Sequence, residues 1–246
     1  MNSAGTADRK TAESGYGRLI GVGVGPGDPG MVTLAAVEAI TAAPVIAFPV
    51  NREGAASRAL ETIRRHLAPA ARLLPLTMPM VRDRGELEEA HAEAAKAIAA
   101  AAAGGEDVVY LSLGDPLFYS TFGYLAERFP GEVEVVSGVP AMSAMAAALG
   151  LPIADGGTPT MVVTGGDRRG IEAALEIGAS LVIIKPRSLP DDTLSLLESA
   201  GAFSRARAAI ELGGERQEVL TSVDRDAASR LPYFSILWIR PEAGGR

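Results

Sequence analysis

The sequence predicts an α/β fold, and three observations carry that expectation. Short apolar runs alternate with helical segments along most of the chain, glycine and proline cluster at the ends of several runs, and 246 residues at 48% hydrophobic content suffice for one large core or two modest ones. Uninterrupted alternation favours a parallel sheet covered on both faces.

Taken in order, Leu19 to Val24 reads as a buried strand, Val32 to Ala42 as a helix, and Val45 to Phe48 as a short strand. Ser57 to His66 follows as a helix with its charges on one side, and Arg72 to Leu76 as a strand. Gly85 to Ala103 is a long alanine-rich helix stopped by Gly104-Gly105. Strand Val108 to Leu113, a helix from Tyr119 to Arg128 and strand Val133 to Val136 complete the first set. A second set begins near Thr158. It comprises strand Thr160 to Thr164, helix Ile171 to Leu175, strand Ser180 to Ile184, helix Asp192 to Ala200, and strands Ala206 to Glu211 and Tyr233 to Ile239. Turn-rich Leu151 to Thr158 is a candidate hinge, with the domain border expected at 137/138: a first domain over 18–137 and a second over 138–243.

Composition removes several function classes. A net charge of −7 argues against nucleic acid as a partner, so any anion site must be local. The absence of cysteine excludes disulfides and thiolate chemistry. His66 and His91 lie in helical, charged surroundings and are expected to be solvated, so no bound metal is expected. Residues 1 to 17 lack the apolar stretch of a signal peptide and read as a loose tail. Val135 to Ala154 runs 20 residues without a charge, but glycine and proline break it, so a short buried helix at Ala141 to Leu149 is expected rather than a membrane span. The expectation is a soluble, cytoplasmic protein.

Two strand-to-turn junctions repeat one signature: Gly23-Val24-Gly25-Pro26-Gly27-Asp28-Pro29 and Gly114-Asp115-Pro116. Glycine permits close backbone approach, aspartate offers a carboxylate and proline fixes the exit. The string Gly25-Pro26-Gly27-Asp28-Pro29-Gly30 fits the dinucleotide pattern in form only. Its prolines remove N–H donors that a pyrophosphate needs, and Asp28 would repel it. Each turn alone fits a plain structural role, with Asp28 as a helix cap. Two such turns at two strand ends point instead to one ligand cleft, since ligands of open α/β sheets bind at the carboxyl ends of strands.

With the block Gly114-Asp115-Pro116-Leu117-Phe118-Tyr119-Ser120 and the segment Ser137-Gly138-Val139-Pro140-Ala141, these turns stand in the order of a known family. The chain resembles the tetrapyrrole methylases that use S-adenosylmethionine, from Gly17 to Pro241. Phe48-Pro49, Ser57-Arg58-Ala59, Val182-Ile183-Ile184-Lys185 and Pro232-Tyr233-Phe234-Ser235 resemble the branch that methylates C(20) of precorrin-2.

The resemblance implies two α/β domains with the cofactor in the cleft between them, a homodimer, and a small tetrapyrrole as substrate. By position, Pro26, Leu113, Gly114, Asp115 and Phe118 would line the cofactor, Pro140 and Ala141 would touch it from the linker, and Lys185 and Gly213 would meet its adenosine. The sulfonium methyl is already activated, so alignment with water excluded supplies most of the acceleration. One weak base would help remove the meso proton, and Asp28 and Asp115 are candidates by location. Substrate carboxylates call for guanidinium groups, for which Arg82, Arg84, Arg168, Arg169 and Arg187 are candidates. Met78, Met80, Met142 and Met145 fit core filling better than packing on a macrocycle. The alternatives are the same fold acting at another ring position or on cobalt-precorrin-2, and a nucleotide-binding module without transfer activity.

Overall fold

The computed structural model describes residues 15–51, 57–79, 81, 83–187 and 189–241. The chain divides into two compact units, one ending at Val139 and the other beginning at Pro140.

The first unit is a five-stranded, wholly parallel sheet in the order β3-β2-β4-β1-β5. Its strands are β1 Leu19–Gly23, β2 Val45–Val50, β3 Arg72–Thr77, β4 Val108–Ser112 and β5 Val133–Val136. Its helices are α1 Leu34–Ala42, α2 Arg58–Ile63, α3 Arg84–Ala102 and α4 Phe122–Ala126. The central strands β1 and β4 are buried throughout, as parallel strands covered on both faces must be. Side chains of β4 alternate between two cores. Val108 and Tyr110 pack with Ile98 of α3 and Phe122 of α4, while Val109 and Leu111 pack with Ile40 of α1 and Ile63 of α2. Gly21 completes the first core by having no side chain: a Cβ there would come within 2.5 Å of the Phe122 ring. Proline falls where the ladder tolerates a missing donor. Pro75 sits on edge strand β3, and Pro49 lies beyond the last residue of β2 paired with β4, Ala47.

Arg18 fixes the start of the sheet. Its backbone N–H and Nε donate to the two oxygens of Asp107, just before β4, and Nη1 donates to Glu134 of β5 at 3.0 Å. The Asp107 carboxyl is thereby held below the usual aspartate range, the Arg18 hydrogen bond outweighing the opposing effect of burial.

The second unit carries a mixed sheet in the order β6-β7-β10-β8-β9. It contains α5 Ala141–Leu149, β6 Thr160–Thr164, α6 Arg168–Glu176, β7 Ser180–Ile184, α7 Asp191–Ser199, β8 Ala206–Ile210, β9 Glu218–Leu220, α8 Arg225–Ser229 and β10 Ser235–Ile239. β6 and β7 are parallel, and β10 runs antiparallel to both β7 and β8. β6, β7 and β8 therefore end at one edge. One face packs Leu181, Ile183 and Leu237 against Ile171 of α6 and Leu194 and Leu197 of α7. On the other, the buried Trp238 indole N–H donates to Ser180 Oγ at 2.9 Å, whose hydroxyl donates to the Ile153 carbonyl at 2.7 Å.

Several elements differ from the sequence expectation. The helix expected over Tyr119 to Arg128 starts only at Phe122, because Tyr119 takes a left-handed φ of 52°. β9 and α8 were not expected. They are short, and charged residues interrupt their patterns. His91 is not a solvated surface residue. It is 6% exposed, and its ring stacks on Tyr124 at 4.8 Å between centroids. Among the described residues no helix is long and apolar enough to cross a membrane.

Candidate functional site

In the first unit every strand ends at the same edge of the sheet. The chain leaves β1 toward α1, on one face, and leaves β4 toward α4, on the other. A crevice opens between the carboxyl ends of two adjacent strands whose connections depart to opposite faces. The two glycine turns stand there and are bonded to each other. Gly114 N–H donates to the Gly25 carbonyl at 2.7 Å, and Gly25 N–H donates to that of Gly114 at 3.2 Å. Both residues are left-handed, with φ of 74° at Gly25 and 80° at Gly114, so both positions favour glycine.

A third glycine locks against this pair. A Cβ on Gly138 would fall 2.2 Å from the Gly114 carbonyl oxygen and 2.6 Å from Gly23 C, so backbone packs directly on backbone. A Cβ on Gly114 itself would meet nothing within 4 Å. Gly138 tightens the junction, while Gly114 leaves open space beside it.

Asp115 organises the second turn. Its Oδ1 accepts from Leu117 N–H at 2.8 Å, and its Oδ2 accepts from Gly138 N–H at 3.0 Å. Phe118 follows, with its ring edge-on to Tyr119 at 5.2 Å. The loop is then tied back to β4 by Ser112 Oγ and Ser120 Oγ at 2.8 Å, and by Tyr110 Oη and Thr121 Oγ1 at 2.9 Å. Burial pushes the Tyr110 phenol up to about 12, so it stays protonated at neutral pH. Asp28 accepts the Gly30 N–H on Oδ1 at 2.7 Å. It caps the single 3₁₀ turn Pro29–Met31, whereas α1 itself is capped by Thr33. Pro26 is buried in the first turn, and Leu113 is half-buried immediately before Gly114. The structure thus brings Pro26, Asp28, Leu113, Gly114, Asp115 and Phe118 to one edge of the first unit.

The other candidates are placed less closely. Arg84 is exposed at the first position of α3, and Arg82, like Met80, lies outside the described residues. In the second unit Pro140 precedes α5 and Ala141 is its first residue. Lys185 follows β7 with a left-handed φ of 51°, and Glu211 follows β8 with φ of 47°. These ends flank the start of β10, where Glu211 N–H donates to the Phe234 carbonyl at 2.8 Å and the Lys185 ammonium lies 5.8 Å from the Tyr233 ring centre. Gly213, with φ of 74°, donates its N–H to Gln217 at 2.8 Å. Arg168 is engaged by Asp192 at 3.1 Å, whereas Arg169 and Arg187 are exposed. Met145 is buried and Met78 packs against the first core, so both fill space.

The sequence left the close backbone packing of Gly138 and its bond to Asp115 unseen, although the segment Ser137-Gly138-Val139-Pro140 stood out as a motif. Left-handed Tyr119, Lys185 and Glu211 were also unseen, and no residue-type signal marks them.

Comparison with known proteins gives this arrangement its context. Residues 18–227 match the family of tetrapyrrole (corrin/porphyrin) methylases. The chain belongs to that family. Among relatives of this methylase, a precorrin-2 C(20)-methyltransferase of Sinorhizobium sp is 34% identical, over 92% of this chain and 96% of that one. A cobalt-precorrin-2 C(20)-methyltransferase of Salmonella typhimurium is 30% identical, over 92% and 97%. The methylase also shares its fold with the uroporphyrin-III C-methyl transferase of Thermus thermophilus solved with S-adenyl homocysteine, at a TM-score of 0.64, 19% identity and coverage of 91% and 97%. Among the described residues of the methylase, no group of three or more His, Asp or Glu side chains is placed to hold a metal ion.

Proposed function

We propose that this methylase transfers the methyl group of S-adenosylmethionine to C(20) of precorrin-2. The observation that carries the reading is the reciprocal pairing of Gly25 and Gly114, with the space a Gly114 Cβ would fill left open. A small ligand can approach the backbone there, and the names of the relatives supply the acceptor and the ring position.

When bound, S-adenosylmethionine supplies a sulfonium-activated methyl group. The protein's contribution is to hold, orient and shield. We assign Pro26, Gly114 and Phe118 to holding the cofactor, and Lys185 and Gly213 to its adenosine. Of the two carboxylates, Asp28 is the better candidate for accepting the meso proton, because Asp115 engages both oxygens with backbone N–H groups while Asp28 engages Oδ1. Arg169 and Arg187, exposed in the second unit, are the stronger candidates for substrate carboxylates; Arg168 already has carboxylate partners. We propose further that the enzyme is a cytoplasmic homodimer.

The deciding experiment incubates the protein with methyl-labelled S-adenosylmethionine and freshly prepared precorrin-2, then locates the label. Label at C(20) is expected, and label at another ring carbon, or none, overturns the reading. A parallel reaction with cobalt-precorrin-2 tests the second acceptor, which the Salmonella relative favours. S-adenosylhomocysteine should raise the melting temperature while NADH and ATP leave it unchanged, since only a ligand of the native state stabilises it.

A further inference from the structure

The loop after Gly114 holds apolar side chains in solvent beside the paired glycine turns. Leu117 is 69% exposed and Tyr119 is 44% exposed. Single exposed leucines are ordinary on loops and need no explanation. This one differs because the chain is tied on both sides of it. The Leu117 N–H is held by the Asp115 carboxylate, and the Phe118 N–H donates to the Asp115 carbonyl at 3.3 Å. Ser120 Oγ is held by Ser112 and itself accepts from Phe122 N–H at 3.2 Å, and Thr121 is held by Tyr110. Between these ties Tyr119 takes a left-handed φ of 52°, which is unfavourable for a residue with a bulky side chain. Such a conformation persists only where its surroundings over-determine it, and it clusters at ligand sites.

We infer that Leu117 and Tyr119 form the apolar face on which the acceptor macrocycle rests, and that Leu117 determines how the acceptor is positioned. The inference rests on the methyltransferase reading above. A tetrapyrrole offers a wide apolar ring face inside a rim of carboxylates. A leucine and an aromatic ring on a tied loop beside the glycine turns suit that face. Phe118, packed edge-on against Tyr119, braces the ring. The tied backbone also reduces the entropy lost on binding, because the loop that carries the contact side chains is held before the acceptor arrives.

The test uses Leu117→Ala and Leu117→Met in the full chain, with wild-type transfer to precorrin-2 measured first. Leu117→Ala should raise the acceptor KM roughly ten-fold, as expected for removing an apolar contact from a ligand. S-adenosylhomocysteine affinity and melting temperature should stay at wild-type values, because Leu117 is mostly exposed and bonds through its backbone. Leu117→Met should restore the KM to within about two-fold. Tyr119→Asn, which tolerates the left-handed backbone but removes the ring, should also raise the acceptor KM. An unchanged acceptor KM in folded Leu117→Ala overturns the inference while the function stands. A change of molar mass by light scattering in Leu117→Ala, with no change in acceptor KM, means that a second copy covers this face and overturns it equally. A wild-type protein inactive on every tetrapyrrole tested overturns both readings.

Discussion

Asp115 and Gly138, 23 positions apart, are joined by a 3.0 Å hydrogen bond from the glycine N–H to the carboxylate. The other oxygen of the same carboxylate caps the Leu117 N–H. One side chain therefore fixes the second glycine turn, the loop behind it and the segment after β5. This geometry fits an organiser of the site better than a proton acceptor.

The first prediction separates those roles. Asp115→Asn keeps the size but leaves only one carbonyl oxygen for two N–H donors. Each charge-assisted bond contributes on the order of 1.5–3 kcal/mol, discounted here for partial exposure. Asp115→Asn should lower the melting temperature by several degrees and weaken S-adenosylhomocysteine binding. A variant with wild-type stability and cofactor affinity but abolished turnover would instead make Asp115 a proton-transfer group.

The glycines give a second, paired prediction. Gly138→Ala places a Cβ 2.2 Å from a carbonyl oxygen with backbone on every side, so nothing can yield cheaply. Overpacking of this kind costs roughly 1–3 kcal/mol or more. Gly114→Ala meets no atom within 4 Å but must hold φ near 80°, at a cost of about 1–2 kcal/mol. Chemical denaturation should find Gly138→Ala the less stable of the two. Calorimetry should find that folded Gly114→Ala has lost affinity for S-adenosylhomocysteine, because its Cβ fills the open space. Wild-type affinity in that variant would remove Gly114 from the ligand site.

The glycine turns were legible in the sequence because their backbone conformation demands particular residue types. A left-handed backbone and a short strand-to-helix exit leave Gly, Asp and Pro in fixed order. The buried strands were legible for a similar reason: Leu19 to Val24 and Val108 to Leu113 are apolar throughout because both faces are covered. Other features depend on three-dimensional company. Tyr119 and Lys185 adopt φ values that their side chains disfavour, so nothing in their identity announces the conformation. His91 sits among Glu88, Glu89 and Glu93 in sequence and looks solvated, yet Tyr124 from another helix covers its ring. The second sheet mixes directions because β10 enters antiparallel between β7 and β8, and strand direction is not written in a run of apolar residues.

His91 carries a pH prediction. Burial holds its imidazole below the ordinary histidine range, an effect larger than the opposing pull of Glu88, and Arg128 adds to it. The unfolded chain therefore binds the proton more readily than the folded one. The resulting contribution to stability is present above about pH 6.5, the unfolded value, and is lost as pH falls through the lower folded value. His91→Phe retains a ring against Tyr124 and cannot titrate. Between pH 7 and 5 the melting temperature of the wild type should fall more steeply than that of His91→Phe. Parallel slopes would show that other groups control acid stability.

The last prediction concerns Lys185, left-handed at the end of β7. Two opposing effects bear on Lys185→Gly. Release from the left-handed conformation favours the folded state by about 1–2 kcal/mol, while the added backbone freedom of the unfolded chain costs roughly 0.5–1 kcal/mol. Lys185→Ala keeps the strain and is the proper reference, because both variants remove the ammonium from the Tyr233 ring. Strain relief is the larger effect, so Lys185→Gly should be more stable than Lys185→Ala by roughly 0.5–1 kcal/mol in chemical denaturation. If the ammonium rather than the backbone serves the cofactor, both variants should lose S-adenosylhomocysteine affinity to the same extent. Lys185→Ala proving the more stable variant would mean that the loop relaxes at no cost, and the left-handed turn after β7 would then hold no strain for a ligand to exploit.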